Sequence, residues 1–249
     1  MSASIPGDRF AAFRHASYAR FFTARFLAAF AIQIISVSVG WQMYDETGSA
    51  LYLGLIGLFQ FLPSLLLILV TGSVADRYNR RAIVAICLAV GAACALALLF
   101  LTNAGLFIPW MVFLILTIFG IERAFMGPAV QSLAPNLVPE RDLANAIAWN
   151  SSSWQTASIV GPVAGGLLYG LSATVAYSIA FGMMVLAVIL VILIPKPAQR
   201  TGSKTVSWSE ILAGFHFISR EKVVLGAISL DLFAVLLGGG RGTDADLRA

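Results

Sequence analysis

The sequence predicts an all-α integral membrane protein, a polytopic bundle of transmembrane helices. Of its 249 residues, 59% are hydrophobic and only 11% are charged, whereas soluble domains are about 45–50% apolar and about 25% charged. Apolar runs of the roughly 17–25 residues needed to cross a bilayer also recur along the chain. These two observations argue against a water-soluble enzyme core.

Seven apolar spans can be traced, and each is bounded by polar or turn-forming residues. The first span is too long for the hydrophobic region of a signal peptide and is followed by others, so we interpret it as an uncleaved helix. The first six spans form a six-helix unit over residues 21–194. The seven spans cover residues 21–43, 51–74, 82–101, 106–130, 143–171, 173–194 and 223–240.

The segments outside the spans are polar. Residues 1–20 form an N-terminal segment, and residues 195–222 form a linker between the sixth and seventh spans. Within the linker, residues 208–220 are amphipathic, so we expect a helix that lies in the membrane interface. A soluble helix packed on a partner is the alternative. Residues 241–249 form an aberrant polar tail after the seventh helix.

The basic residues indicate which side of the membrane each connection faces, because cytoplasmic loops are enriched in Lys and Arg. If the N-terminus is cytoplasmic, the loops around residues 45–46, 103–105 and 171–172 on the opposite side carry no Lys or Arg. This bias predicts that the N-terminus and the linker are cytoplasmic. The basic residues then on the cytoplasmic side are Arg9, Arg14, Arg20, Arg77, Arg80, Arg81, Arg141, Lys196, Arg200, Lys204, Arg220 and Lys222.

Other classes of function find little support. The net charge of +4 arises in short connections and not in a basic stripe with interleaved aromatics, which argues against nucleic acid. Cys87 and Cys94 are about 10 Å apart along one helix, too far for a disulfide, and His15 and His216 are too isolated for a metal site. The spans contain no pairing of a nucleophile with a base, so we expect neither an enzyme nor a cofactor.

The connection between the second and third spans contains the most specific motif, GSVADRYNRR at residues 72–81, here called the signature loop. Its first glycine allows a neighbouring helix to approach closely, and its aspartate is placed to cap a helix N-terminus. Its arginines are expected to pair with acids such as Glu140 or Asp142. A loop with three arginines is equally explained as a determinant of topology. The residues singled out are Gly72, Asp76, Arg77, Arg80 and Arg81.

The fifth span contains a ridge of small residues. Ala157, Gly161 and Gly165 follow one another at intervals of four, which favours tight contact with another helix. Pro162 removes one backbone donor and bends the helix, and Gly166 completes the motif GPVAGG. Generic packing of small residues explains the ridge about as well as a specific function.

Polar side chains inside the spans are the candidates for a transport pathway, because such groups are costly in hydrocarbon and usually face a cavity. Glu122 and Arg123 point about 100° apart on one helix, so each is expected to find its partner on another helix. Glu122 or Asp231 would carry a proton; the alternative is a static ion pair or a hydrogen-bonded staple. Arg25 is expected to reach the cytoplasmic surface and to form no site. The full set is Gln33, Glu122, Arg123, Asn150, Trp154 and Asp231.

The signature loop resembles that of the major facilitator superfamily, G-x-x-x-D-R-x-x-R-R, and the fifth-span motif resembles the antiporter motif of the same superfamily. Residues 123–135, together with LANA at 143–146 and SWQ at 153–155, resemble the subfamily that contains the enterobactin exporter and drug and macrolide exporters. The resemblance extends from residue 10 to about residue 240.

The resemblance implies a transporter that exports a small amphipathic compound, a siderophore or a drug, in exchange for protons across a bacterial inner membrane. It implies twelve helices in two halves, each an inverted 3+3 repeat, with the fifth-helix motif packed where the halves meet. Because the chain turns polar near residues 238–241, we expect a truncation that removes the C-terminal half, the natural packing partner. The alternative is a non-transporting membrane fragment or an assembly partner.

Overall fold

A computed structural model describes residues 9–195, including all side chains in that range except those of residues 68–70, 73 and 76. Two single-turn 3₁₀ helices, Ala11–Arg14 and Ala134–Asn136, lie before α1 and after α4. The predicted seventh span, the linker, the polar tail and Asp231 lie outside the described residues. The six long helices are α1 (Ala16–Thr47), α2 (Ala50–Arg77), α3 (Arg80–Asn103), α4 (Pro109–Leu133), α5 (Glu140–Leu171) and α6 (Ala173–Ile192).

The all-α membrane fold is confirmed, and each of the first six predicted spans corresponds to one helix. Five helical segments are long and apolar enough to cross a membrane. No such segment falls in α5, because residues such as Glu140, Asp142 and Asn150 make its first half polar. The five segments are Ala16–Thr47, Ala50–Leu67, Arg80–Asn103, Pro109–Asn136 and Ala173–Ile192.

Most of the main helix contacts join helices that are not consecutive in the sequence; the contact between α3 and α4 is the exception. α1 packs on α5 and α6, α2 packs on α4, and α3 packs on α4 and α6. If α1, α2 and α3 exchange places with α4, α5 and α6, respectively, the same pairs of contacting helices are obtained. An inverted 3+3 repeat has this property, so the packing agrees with the repeat that the resemblance implies.

Small residues allow these contacts to be close. On α6, Ala176, Ala180 and Ala187 are completely buried, and they form a stripe at helical spacing. On α3, a Cβ added to Gly91 would lie 3.6 Å from the Sδ atom of Met184 on α6. Small side chains at helix crossings are the usual means of packing in membranes, where the hydrophobic effect does not drive helices together.

Residues 9–15, here called the N-terminal clasp, dock onto the first three turns of α5. The Asn145 side chain and the Trp149 indole each donate a hydrogen bond to the Arg9 carbonyl, at 2.9 and 2.8 Å. The Ala12 amide donates to Asn145 Oδ1 at 3.2 Å, and the Phe10 ring stacks on Trp149 with centroids 5.4 Å apart. The clasp thus ties the start of α1 to α5.

Candidate functional site

The signature loop lies where α2 ends and α3 begins. Arg77 is the last residue of α2, and Asp76 lies inside that helix. The N-cap of α3 is Asn79, whose side chain accepts hydrogen bonds from the backbone amides of Arg81 and Ala82 at 3.1 and 3.3 Å. The expectation that Asp76 caps a helix N-terminus is therefore wrong for α3, because Asn79 occupies that position.

Two arginines of the signature loop bind helix C-termini. Arg80 donates to the Ser132 carbonyl in the last turn of α4 at 3.1 Å. Arg81 donates to the Val191 carbonyl at 3.2 Å and to the Ile192 carbonyl, which end α6. A cation at a helix C-terminus satisfies carbonyls that have no helical partner and complements the helix dipole.

The predicted pairing of these arginines with loop acids is wrong for Asp142. That carboxylate lies 2.9 Å from the His15 Nε2 atom and 3.7 Å from the Arg141 Nε atom. Arg20, at the start of α1, donates to the Leu193 carbonyl at 2.8 Å. Within the signature loop, Arg80 and Arg81 therefore fasten the start of α3 to the ends of α4 and α6.

The glycine ridge of α5 lies on α1. A Cβ added to Gly165 would lie 3.1 Å from the Cα of Ile34 and 3.2 Å from the Cβ of Val37. Gly161 contacts the stem of Gln33, whereas no atom lies within 4 Å of a Cβ added to Gly166. Two residues of the motif thus have their partner inside this chain, where the resemblance implies a partner in a second half.

Glu122 and Arg123 on α4 have different surroundings. Glu122 is 5% exposed and near enough to Cys87 and Cys94 of α3 to act on them electrostatically. Its Oε2 atom has no hydrogen-bond partner among the described residues, so the expected partner on another helix is not found in this part of the chain. Arg123 instead lines a cavity of about 660 Å³ between α2 and α4, with Gln60 and other residues.

A second cavity, of about 630 Å³, lies between α1, α4 and α5. It brings together two residues that the sequence analysis singled out, Asn150 and Trp154. Gln33 does not line it, because its side chain packs on Gly161. The cavity, here called the α1–α5 cavity, is lined by Arg25, Val130, Gln131, Ala134, Pro135, Ile147, Asn150, Ser151, Trp154 and Gln155.

Arg25 is the residue that sequence reasoning missed. It was expected to reach the surface, but it lines both the α1–α5 cavity and a smaller adjoining cavity of about 60 Å³. Its Nε atom is buried without a hydrogen-bond partner among the described residues. Its depth does not by itself decide between surface and cavity, since Arg25 lies nine residues into α1, about 13 Å from the helix start at 1.5 Å per residue.

The opposite end of the bundle is held by hydrogen bonds between side chains. Tyr169 of α5 donates to Asp45 of α1 at 2.6 Å, and Thr174 of α6 donates to Asn103 of α3 at 2.6 Å. Each bond links the end of one helix to a helix that packs on it. The two ends of the bundle are therefore closed by different chemistry, arginine to carbonyl at one end and hydroxyl to side-chain oxygen at the other.

Comparison with known proteins identifies the family. Residues 21–244 match the family model described as Major Facilitator Superfamily. The chain is 28% identical over 215 residues to macrolide efflux protein A of Streptococcus pyogenes, covering 83% of the chain and 50% of the relative. It is 30% identical over 201 residues to macrolide efflux protein A of Enterococcus faecalis, covering 77% and 58%.

Another relative is named for a different substrate. The chain is 26% identical over 149 residues to the staphyloferrin A transporter of Staphylococcus aureus, covering 59% of the chain and 38% of that relative. The chain spans about half the length of the macrolide efflux relatives that it matches. Because the family model covers most of its length and its apolar helices form the expected bundle, the chain belongs to the major facilitator superfamily of membrane transporters.

Proposed function

We propose that the protein takes part in proton-coupled efflux of a small amphipathic compound, a siderophore or a drug, by alternating access. Efflux is supported by relatives named for macrolide efflux, and a siderophore by the relative named for staphyloferrin A. Since the chain spans about half the length of its macrolide efflux relatives, this activity is proposed for the whole transporter to which these helices belong.

The α1–α5 cavity is the observation that carries the proposal. A guanidinium, three side-chain amides and the Trp154 ring, which is 37% exposed, share one space inside a membrane bundle. Amphipathic compounds need both kinds of surface, an apolar wall and a few polar groups that fix orientation. The Arg123 cavity on the other side of α4 offers a second polar surface.

Glu122 is the proposed proton carrier among the described residues. An ionised carboxylate without a partner is costly in a membrane interior, whereas its protonated form is tolerated. Glu122 lines neither of these cavities and lies near Cys87 and Cys94 of α3. Protonation there would alter the α3–α4 contact and so couple to helix movement. Asp231 is retained as a second proposed carrier.

The signature loop is the proposed cytoplasmic gate. Arg20, Arg80 and Arg81 lie at the same end of the bundle, where they bind the last carbonyls of α4 and α6. The end that carries the Tyr169–Asp45 bond has no Lys or Arg among the described residues. By the positive-inside rule, this asymmetry supports a cytoplasmic N-terminus and loop in a bacterial inner-membrane protein.

Transport by inverted membrane vesicles tests the proposal. Vesicles that contain the protein expressed from its native open reading frame are energised by acidifying their lumen, so that protons flow outward, and are offered a macrolide or staphyloferrin A. We expect accumulation that collapses when the gradient is dissipated, and Glu122→Gln should reduce coupled accumulation at least about tenfold. The matched control is Glu140→Gln, at an exposed carboxylate on the first turn of α5.

One result would contradict transport, and another would contradict the role of Glu122. Accumulation equal to that of vesicles without the protein, despite verified insertion, would argue against transport. Unchanged gradient-driven uptake in Glu122→Gln would leave transport standing but remove Glu122 as the carrier.

A further inference from the structure

The polar cavities of the described bundle are cationic. The α1–α5 cavity contains one charged residue, Arg25, and the cavity between α2 and α4 contains one, Arg123. No acidic side chain among the described residues lines either cavity. The two buried carboxylates among the described residues, Glu122 and Asp142, line neither of them.

Two polar atoms at the α1–α5 cavity are buried without partners among the described residues. They are Nε of Arg25 and Oδ1 of Asn150. Leaving a buried donor or acceptor unpaired costs about 1–3 kcal/mol, and more if the group is charged. Both residues line the same cavity, so small rotations of the two side chains would turn their polar groups toward a ligand placed there.

The two groups suit an anionic oxygen ligand. A guanidinium presents a planar fork of donors that matches a carboxylate in two parallel hydrogen bonds. The Asn150 amide can rotate to present either its oxygen or its NH₂ group to the same point. A carboxylate bound by Arg25 would therefore accept a further hydrogen bond from Asn150.

The neighbouring apolar space fits the rest of such a ligand. Arg25 and Trp154 also line the smaller cavity, whose other walls include Phe21, Ile32 and Met126. A compound with a carboxylate at Arg25 would extend its apolar part along the Trp154 ring toward these side chains. The arrangement suits an amphipathic ligand and further predicts that the ligand is negatively charged.

We propose that the compound bound by this transporter carries a carboxylate, which Arg25 binds in the α1–α5 cavity with Asn150 as a second donor. The inference rests on the proposed function, since it names the substrate class of the same site. The anion site can be tested separately from the proposed function, because efflux of a neutral or cationic drug requires no anion site.

Equilibrium binding tests the proposal on the full chain in lipid nanodiscs. The probe is tritiated 2-naphthoate, and binding to nanodiscs without protein is subtracted. Unlabelled 2-naphthoate should displace the probe, whereas neutral 2-naphthamide, which has the same ring system, should be at least about tenfold weaker. Arg25→Gln should weaken probe binding at least about tenfold. Arg141→Gln, which removes the same charge at an exposed position on α5, should leave binding unchanged.

A second variant distinguishes loss of the anion site from misfolding, which could also abolish binding in Arg25→Gln. Asn150→Asp keeps Arg25 but places a carboxylate in the same cavity, where it would form an ion pair with the guanidinium and block the probe. We expect loss of probe binding together with unchanged or higher thermal stability. Retained binding in Asn150→Asp, or equal displacement by the amide and the acid, would overturn the proposal.

The outcomes also separate this proposal from the proposed function. Naphthoate binding that depends on Arg25, in a protein that does not transport, would support the anion site and contradict transport. Proton-driven efflux of a macrolide that is unaffected by Arg25→Gln would support transport and contradict the anion site.

Discussion

Gly161 on α5 lies against Gln33 on α1 so closely that a Cβ added to the glycine would be 2.6 Å from the Gln33 Cβ. The Gln33 Cβ is fixed by the α1 backbone, so a change of the Gln33 rotamer cannot relieve this overlap. The α1–α5 crossing therefore requires glycine at this position. In this chain, the motif that resembles the antiporter motif allows α1 and α5 to pack closely.

Gly161→Ala should destabilise the helix bundle. The added methyl forces α1 and α5 apart, and overpacking of this kind typically costs about 1–3 kcal/mol. Thermal unfolding in detergent, followed by tryptophan fluorescence, measures the effect. Gly166→Ala is the matched control on the same helix, since its added Cβ meets no atom within 4 Å. Equal melting temperatures for the two variants would contradict the close α1–α5 contact.

Gly120→Ala should be at least as harmful at the crossing of α4 and α2. An added Cβ would overlap the backbone carbonyl of Gln60, and the Ser64 hydroxyl donates to the Gly120 carbonyl at 2.9 Å. Because the obstacle is backbone, the helices themselves must separate. The expected cost is about 2–3 kcal/mol in the same unfolding assay. Gly127→Ala, with no neighbour within 4 Å of its added Cβ, should unfold like the unchanged protein.

Arg81→Ala should weaken the attachment of α3 to the C-terminus of α6. It removes charge-assisted hydrogen bonds to the Val191 and Ile192 carbonyls, each worth about 1.5–3 kcal/mol, although water can replace part of this at the membrane surface. We expect faster hydrogen exchange, measured by mass spectrometry, in the last turn of α6. Arg77→Ala serves as the control, because Arg77 is exposed. Indistinguishable exchange in the two variants would refute the capping role.

Trp149→Phe should loosen the N-terminal clasp. The substitution keeps an aromatic ring beside Phe10 but removes the indole hydrogen bond to the Arg9 carbonyl, a loss of about 0.5–1.5 kcal/mol. Trypsin should then cleave after Arg9 and Arg14 several-fold faster, as followed by mass spectrometry. Ser152→Ala is the control, since its hydroxyl bonds within α5. No change in cleavage rate would show that the indole hydrogen bond does not help to hold the clasp.

The lengths and spacing of the apolar runs were sufficient to predict the six described helices and their order. The helix ends were not, because helices extend beyond the apolar core: α1 begins at Ala16 and α5 at Glu140, ahead of the predicted spans. Hydrophobicity reports contact with lipid, whereas a helix in polar surroundings continues as long as caps and tertiary contacts support it.

The candidate site was only partly predictable. Asn150 and Trp154 could be singled out because polar and aromatic groups in a span are informative by themselves. Arg25 was missed because the same position permits either a long side chain that reaches the surface or one that turns into a cavity. Only the packing of α1 against α4 and α5 decides between these, and no pattern within one helix contains that information.

The contact pattern of the bundle constrains the order in which it can be assembled. Helices enter the membrane from the ribosome in sequence, yet the main partners of α1 are α5 and α6, and that of α2 is α4. The first three helices must therefore remain in lipid with much of their contact surface unpaired until α4 to α6 have been synthesised. Insertion and packing are separate stages for such a protein, and its newly made helices depend on lipid or an insertase to stay apart from wrong partners.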